Sequence, residues 1–278
     1  MALRIDISGL PPDAFVFLRS CKNSEEIIKN SRSMDRTRGG CGMEMNCVKC
    51  RVTDKLCRKP DGRGPEFCPT KRKKSIIEES LKEYEKPENS EFARLASVQE
   101  GECYANRNVK PYMMEPVKTR IVETMEFAHK MGYKRLGIAF CGGVTQEAGV
   151  LTEIFEKHGF EVVGVSCKVG GVPKERIGIK EEEKINIGTY ESMCNPIAQA
   201  MLLNDARVDL NIMVCLCVGH DSLFLKYIHG PTTVLAVKDR VTAHNPLAPV
   251  YTSHSYYQRL QKLEMGSDEE MKARLTAK

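Results

Sequence analysis

Hydrophobic positions change their spacing repeatedly along the second half of the chain. Between residues 111 and 254, segments whose apolar residues recur every three or four positions alternate with short continuous apolar runs. The first pattern predicts helices over 116–133, 144–160, 195–206 and 220–230. The apolar runs predict strands over 136–141, 161–167, 209–217 and 232–239.

This alternation predicts an α/β domain over residues 111–254. Strands separated by helices form parallel sheets through right-handed crossovers, with helices packed on the sheet. We therefore expect an open, mostly parallel, three-layer α/β sheet of the Rossmann-like kind, preceded by a small cysteine-rich metal-binding loop segment.

The rest of the chain divides by composition into four segments. Residues 1–40 are a mixed polar N-terminal extension with little pattern, and residues 41–70 are rich in Cys, Gly, Pro and basic residues, without the periodicity of a core. Residues 71–110 predict a helical linker in which a charged helix breaks at Pro87 and a second, short helix follows. Residues 255–278 predict a polar helical tail.

Length and composition are those of a folded globular protein. The 278 residues are 41% hydrophobic and 28% charged, which is enough apolar chain for a buried core. No apolar run approaches the ~18 residues that span a bilayer, and the N-terminus lacks the basic start and apolar stretch of a secretory signal. We therefore expect a cytoplasmic protein without a membrane partner, in which the twelve cysteines are reduced and available to bind metal or to react.

Four cysteines in the segment 41–70 have the spacing C-x2-C-x6-C-x10-C. They are Cys47, Cys50, Cys57 and Cys68. Four thiolates on a short loop bind a zinc ion or a [4Fe-4S] cluster, and a loop without a core of its own needs such a ligand to be ordered. We expect a metal site here, with zinc and iron–sulfur both open and Cys41 as a spare ligand.

A second set of cysteines comes at the ends of predicted strands. Cys141, Cys167 and Cys217 end three apolar runs, and Cys194 precedes a predicted helix. Since the carboxyl ends of parallel strands meet at one edge of a sheet, these four thiols should converge there. They could bind a [4Fe-4S] cluster, or one of them could be a nucleophile. We expect Cys215 to point to the opposite face and to serve packing, while Cys21 and Cys103 fit no pattern.

Polar residues follow two of the same strands. His220 and Asp221 come directly after the third strand, and Lys238, Arg240 and His244 follow the fourth. Basic groups and imidazoles beside thiols can bind an anion or transfer protons. They are therefore candidate catalytic residues for a small anionic or sulfur-containing substrate, although Asp221 is also well placed to cap a helix.

These linked motifs resemble those of a bacterial and archaeal family of predicted metal-binding proteins, domain of unknown function 1847. The resemblance lies in the runs RLGIAFCGGVTQEA, VSCK, MCNPIAQAMLLN, CLCVGHDSLFLKY and VKDRVTAHNP and in the upstream cysteine-rich segment, over roughly residues 45–252. It implies metal binding, with both cysteine sets and the polar groups named above as site residues, and it supplies no reaction. The family more often has glycine where this chain has Cys215, which supports a packing role for that residue.

Three hypotheses of function follow. The first is a metal-binding protein with two cysteine sites, of which the one at the sheet edge handles redox chemistry or sulfur, with a redox partner or small substrate. The second is a Cys/His thiol- or sulfur-transfer enzyme without a second metal. The chain contains no H-E-x-x-H, G-x-S-x-G or G-x-x-x-x-G-K-[ST] motif, so the sequence indicates no familiar hydrolysis or phosphoryl transfer.

The third hypothesis is a nucleic-acid-binding module that uses the basic cysteine loop. Residues 41–74, which end in KRKK, contain ten Lys and Arg against four Asp and Glu. Such a patch can bind phosphates, but Phe67 is the one aromatic residue available to stack on bases. Nucleic acid is therefore the least favoured partner.

Overall fold

The computed structural model describes residues 45–262, and the chain divides into two compact units, residues 1–83 and 84–278. The first unit, as far as it is described, contains a 3-10 turn at Cys47–Lys49, the short helix α1 (Pro69–Arg72) and most of α2 (Lys74–Tyr84). A single bridge joins Lys55 to Arg63. The predicted extension 1–40 and the spare Cys41 lie outside the described residues, as do Cys21 and residues 263–278 of the predicted tail.

The second unit contains the α/β pattern that the sequence predicts. Its strands are β1 (Arg135–Phe140), β2 (Glu161–Ser166), β3 (Leu210–Leu216) and β4 (Thr232–Val237). Its helices are α3 (Pro87–Glu102), α4 (Arg120–Lys130), α5 (Thr145–Lys157), α6 (Pro196–Asp205), α7 (His220–Tyr227), α8 (Ala248–Tyr251) and α9 (Arg259–Lys262). The helix α3 has 16 residues and is longer than expected, because Pro87 occupies its first turn, where proline needs no amide hydrogen.

The four strands form one parallel sheet in the order β2-β1-β3-β4. The predicted parallel sheet is therefore confirmed. The chain leaves β1 towards one edge and leaves β3 towards the other, so the order reverses between these two central strands. Such a reversal opens a crevice at the carboxyl ends of the strands, where open α/β sheets bind their ligands.

Alternate residues of the central strands belong to two separate apolar clusters. Ile138 packs with Met125 of α4 and Phe155 of α5, whereas its neighbour Ala139 packs with Leu203 of α6 and Phe224 of α7. Because side chains alternate across a strand, each cluster covers one face of the sheet. Both faces are buried, which explains why every residue of β3 is buried and all but Asn211 are apolar, instead of apolar and polar residues alternating.

A bulge interrupts β3 at Cys215. The register with β4 shifts on both sides of Val214, and Cys215 has φ of +56°, a left-handed conformation that is rare for a side-chain-bearing residue. Regular alternation would place residues 215 and 217 on the same face. The bulge separates them: Cys215 is 4% exposed within the cluster that contains Ile138, and Cys217 lies beyond the strand end.

None of the helices in residues 45–262 is long and apolar enough to cross a membrane.

Candidate functional site

Three of the predicted thiols directly follow the strands. Cys141, Cys167 and Cys217 are the first residues after β1, β2 and β3, so each strand ends one residue earlier than the apolar run in the sequence. Cys194 comes two residues before α6, and the amide of the intervening Asn195 donates to the carbonyl oxygen of Cys167 at 2.7 Å. That backbone bond brings the connection after β2 back to the carboxyl edge of the sheet.

Three thiols form a hydrogen-bonded chain at this edge. Cys141 bonds to Cys167, and Cys167 bonds to Cys194. The amide of Gly142 also donates to the Sγ of Cys167 at 3.2 Å. Cys217 lies close enough for its charge to oppose ionisation of Cys194, so all four sulfurs belong to one neighbourhood.

The direction of these hydrogen bonds gives the two end thiols of the chain, Cys141 and Cys194, different pKa values. The hydrogen bond from Cys167 lowers the pKa of Cys194 to about 7, against the effect of burial and with help from the positive charge of Lys168. Donation to Cys167, together with burial, raises the pKa of Cys141 to about 12. Cys194 is therefore the end of the chain that carries a thiolate near neutral pH, and thiolates are the reactive form of cysteine.

Basic side chains surround the thiols. The Nη2 of Arg240 lies 3.2 Å from the Sγ of Cys217. A Cβ built on Gly143 would lie 3.6 Å from the Nζ of Lys238 and 3.9 Å from the Sγ of Cys141, which places these two groups over the same glycine. Three sequence-predicted features, the two cysteines and the basic pair after β4, therefore meet at one edge.

His220 is the first residue of α7 and faces the same edge. Its Nδ1 is buried and accepts no hydrogen bond from the part of the chain that the structure describes. Burial and the nearby charge of Lys168 lower the pKa of His220, while Asp221 and Cys141 act in the opposite direction. The imidazole is thus neutral at neutral pH and has a free ring nitrogen.

Asp221 and the loop after β4 make mainly backbone hydrogen bonds. The Oδ1 of Asp221 accepts the amides of Gly219 and Ser222 at 2.9 and 2.7 Å, so this side chain stabilises the turn into α7. In the following loop the amide of Asp239 donates to the Nδ1 of His244 at 3.2 Å. His244 lines a largely apolar cavity of about 470 Å³ beside Cys215.

Sequence reasoning missed Gln199. This residue of α6 is fully buried, and its Nε2 donates to the carbonyl oxygens of Phe140 at 3.1 Å and Val165 at 2.7 Å. It therefore joins the ends of β1 and β2 to the helix that follows Cys194. The only signal in the sequence is one amide inside the apolar run PIAQAMLL.

Sequence reasoning also missed the order within the connection 168–193. The Nζ of Lys174 lies 2.6 Å from Glu191, and the Nζ of Lys184, whose side chain is 4% exposed, lies 2.5 Å from Glu175 and 2.7 Å from Glu181. Both ends of the connection are joined by backbone bonds between residues 172–174 and 191–193. This long segment therefore has a polar core of its own and holds Cys194 in place.

The cysteine-rich segment has local turns around its thiols. The amide of Cys50 donates to the carbonyl oxygen of Cys47, which closes the C-x2-C turn. Burial raises the pKa of Cys68, but hydrogen bonds from Lys71 and Thr70 at the start of α1 outweigh it, and the pKa is lowered. Cys47 and Cys57 are exposed. Lys71, from the basic run, bonds to Glu66 and to the carbonyl oxygen of Gly64.

Across residues 45–262, no three His, Cys, Asp or Glu side chains are arranged so that they could hold a metal ion.

A further cavity of about 400 Å³ lies at the opposite edge of the sheet, beside the amino ends of β3 and β4. Phe92 and Phe127, whose rings pack edge to face, line it together with Cys103. Burial raises the pKa of the Cys103 thiol, which donates to the carbonyl oxygen of Gln99. This cysteine is thus far from the thiol chain.

Two comparisons place the chain among known sequences. Residues 68–235 match the model of the family described as "Protein of unknown function (DUF1847)". The chain is also 42% identical over 222 residues to the "Uncharacterized protein MJ0455" of Methanocaldococcus jannaschii, a similarity that covers 80% of this chain and the whole of that protein. The family match includes α1 and the sheet as far as β4, and it begins at Cys68, after the other cysteines of the N-terminal set. The chain therefore belongs to the DUF1847 family.

Proposed function

We propose that this protein handles sulfur or transfers electrons through the thiols at the carboxyl edge of its sheet. The hydrogen-bonded chain Cys141–Cys167–Cys194 is the observation that carries the proposal. Three thiols linked by two hydrogen bonds can exchange protons, and two neighbours among them can form a disulfide, so they can accept or release an electron pair. A single buried cysteine that serves only packing has none of these properties.

The neighbouring polar groups support the same chemistry. Lys168 favours the thiolate form of Cys194, and Arg240 lies 3.2 Å from the Sγ of Cys217. Together with Lys238, these cations favour an anionic substrate. His220, with its free Nδ1, is the group best placed to accept a proton from a thiol or from a leaving group. We assign Asp221 and His244 to shaping the loops that carry these groups.

A metal-bound form of the same edge is the second candidate. It is favoured by the donor set, because four cysteines from four different segments lie at this edge, and soft thiolate ligands suit zinc and iron–sulfur clusters. Cys141, Cys167, Cys194 and Cys217 would hold the group, which would supply electron transfer or sulfur activation. The cations and His220 would then bind and orient the substrate beside it.

We also propose that Cys47, Cys50, Cys57 and Cys68 hold a structural zinc ion or [4Fe-4S] cluster. The closed Cys47–Cys50 turn and the lowered pKa of Cys68 favour thiolate ligands. Apart from its short turns and one bridge, the described part of this segment has no element that would order it. Metal binding would supply that order.

At the level of the fold, we infer the three-layer, Rossmann-like arrangement. The two apolar clusters on alternate strand residues support it, since α4 and α5 contribute to one cluster and α6 and α7 to the other. The reversal of strand order between β1 and β3 at the thiol edge is typical of this class.

Anaerobic purification, followed by metal analysis, a visible spectrum and mapping of the thiols that iodoacetamide alkylates, tests these proposals. We expect alkylation of Cys194, the sheet-edge thiol with the lowered pKa, in the native protein. We also expect metal that is lost in Cys50→Ser and kept in Cys194→Ser. Iron with labile sulfide that disappears in Cys194→Ser, together with blocked sheet-edge thiols, would select the metal-bound candidate instead. Sheet-edge thiols that resist alkylation in protein without any metal would contradict both.

A further inference from the structure

We propose that Cys194 is the attacking thiol and Cys167 the resolving thiol in thiol–disulfide exchange with a small anionic disulfide. The inference rests on the proposed function and assigns separate roles within it. Its basis is the geometry of the two cysteines, their unequal exposure and the charges around them.

The two sulfurs differ in access. Cys194 is partly exposed at the sheet edge, whereas Cys167 is only 3% exposed and lies in the apolar cluster with Val165 and Leu203. A disulfide that approaches from solvent therefore reaches Cys194 first. Cys167 can react only with a partner that is already inside the protein, which is the position of a resolving thiol.

The backbone keeps these two thiols together. Asn195 is bonded to the carbonyl oxygen of Cys167, and Met193 is bonded to Val172, so both sides of Cys194 are tied to the chain that follows β2. The ion pairs of Lys174 and Lys184 order the connection between them. The Cys167 and Cys194 thiols are thus held close enough to form a disulfide with each other without a large movement of the backbone.

Two hydrogen-bond donors at the Cys167 sulfur favour its thiolate form, which is the form that reacts. The Gly142 amide points at its sulfur from 3.2 Å and would stabilise the negative charge of a thiolate. Cys141 also donates to the same sulfur. A Cβ at position 142 would lie 4.0 Å from this sulfur, which is an ordinary van der Waals distance, so the backbone at Gly142 lies close to the Cys167 sulfur without a steric clash.

The exchange has two balanced steps. The Cys194 thiolate attacks one sulfur of the substrate disulfide, forms a mixed disulfide and releases the other half as a thiolate, which takes up a proton. Cys167 then loses its proton, which His220, whose unpartnered Nδ1 belongs to an imidazole near Cys141, can accept. The Cys167 thiolate attacks the Cys194 sulfur and releases the second half as a thiolate, which takes up that proton. The substrate gains two electrons and two protons, and the protein is left with a Cys167–Cys194 disulfide.

The charges around the site select the substrate class. Lys168, Lys238 and Arg240 lie at the thiols, while the carboxylate of Asp221 is occupied by backbone amides. A disulfide that carries carboxylates is therefore attracted, and a cationic one is repelled.

Oxidised glutathione and cystamine are matched probes, since the first has more carboxylates than ammonium groups and the second has ammonium groups only. Anaerobically purified protein is treated with each probe, and the products are identified by intact mass and peptide mapping. With oxidised glutathione we expect a Cys167–Cys194 disulfide in the native protein and a mixed disulfide on Cys194 in Cys167→Ser. Cystamine should react about tenfold more slowly. Cys103→Ser, which changes a buried thiol at the opposite edge, is the control and should behave as the native protein.

The assignment and the proposed function can fail separately. A mixed disulfide that accumulates on Cys141 or Cys217 would overturn the assignment and leave sulfur handling at this edge in place. Equal rates for the two probes would overturn the anionic substrate class. If no sheet-edge thiol reacts with either probe in the native protein, the assignment and the proposed thiol chemistry both fall. The mapping in the native protein does not depend on any variant folding correctly.

Discussion

The Nε2 of Gln199 lies 2.7 Å from the carbonyl oxygen of Val165, in a part of the core that is closed to solvent. The same nitrogen donates to the carbonyl oxygen of Phe140. One side chain therefore binds the carboxyl ends of two strands, each of which is followed by a cysteine of the site. Its Oε1 has no partner among the described residues. A buried amide with an unsatisfied oxygen is costly, and its retention here fits a positioning role.

Gln199→Met should therefore disturb the thiols more than the fold. The substitution keeps the volume but leaves the Val165 carbonyl without this donor, which costs about 1–3 kcal/mol of unfolding free energy. Loss of the two hydrogen bonds from Gln199 should also let the ends of β1 and β2 move apart, so that the pKa of Cys194 returns towards an ordinary value. Urea unfolding and the pH profile of alkylation at Cys194 measure the two effects. Met201→Ala, at an exposed site of the same helix, should change neither; an unchanged Cys194 profile in Gln199→Met would reject the positioning role.

The rate of Cys194 alkylation should rise with pH and reach half its maximum near pH 7. Only the thiolate reacts, and its fraction follows the pKa of about 7. Cys141, with a pKa of about 12, should remain unmodified at pH 8. Cys167→Ala should shift the Cys194 profile to higher pH by more than Lys168→Gln does, because the hydrogen bond from Cys167 is the larger cause. Peptide-resolved mass spectrometry after brief iodoacetamide treatment measures each rate, and a profile centred near pH 9 in the native protein would contradict the expectation.

The connection 168–193 should loosen at acid pH. Lys184 lowers the pKa of Glu175 and Glu181, and Lys174 lowers that of Glu191. A lowered carboxyl pKa contributes stability that is present above the ordinary value of about 4.5 and is lost as the pH falls through the lowered one. The protection of residues 168–193 against hydrogen exchange, relative to the intrinsic rate at each pH, should therefore fall below about pH 4.5, before that of β3.

The same segment offers a test by substitution. Lys184→Met should raise hydrogen exchange in residues 168–193 at neutral pH, because it removes the cation that joins Glu175 to Glu181. Lys157→Met is the matched control, since Lys157 pairs with Glu153 at 3.9 Å on the exposed surface of α5. Equal exchange in the two variants would show that the buried lysine does not order the connection.

Cys215 should accept glycine and reject valine. The left-handed conformation at φ +56° costs about 1–2 kcal/mol for a residue with a Cβ, and glycine avoids that cost while losing the buried thiol. We expect the free energy of unfolding of Cys215→Gly to lie within about 1 kcal/mol of the native protein. Cys215→Val should lose about 1–3 kcal/mol, since a β-branched side chain is strained in this conformation. Urea denaturation compares the two, and greater stability of the valine variant would show that packing outweighs strain at the bulge.

The order of apolar runs and helical periods in the sequence was sufficient to determine the parallel sheet. The run IMVCL at the end of β3 is apolar on every residue because both faces of the strand are buried, and this pattern can be read from the order of residues in the chain alone. The placement of Cys141, Cys167 and Cys217 followed in the same way, since residues after parallel strands meet at one edge.

Only the tertiary structure decided how these thiols relate to one another. The hydrogen-bonded order that leaves the thiolate on Cys194, the role of Gln199 and the bulge at Cys215 each depend on contacts between residues far apart in the chain. Local pattern records which faces are buried, because burial repeats with the period of the element. The local pattern does not show which buried groups contact one another, because that depends on how the segments pack in three dimensions. Here it is this packing that gives Cys194 a lower pKa than the two other thiols of the hydrogen-bonded chain.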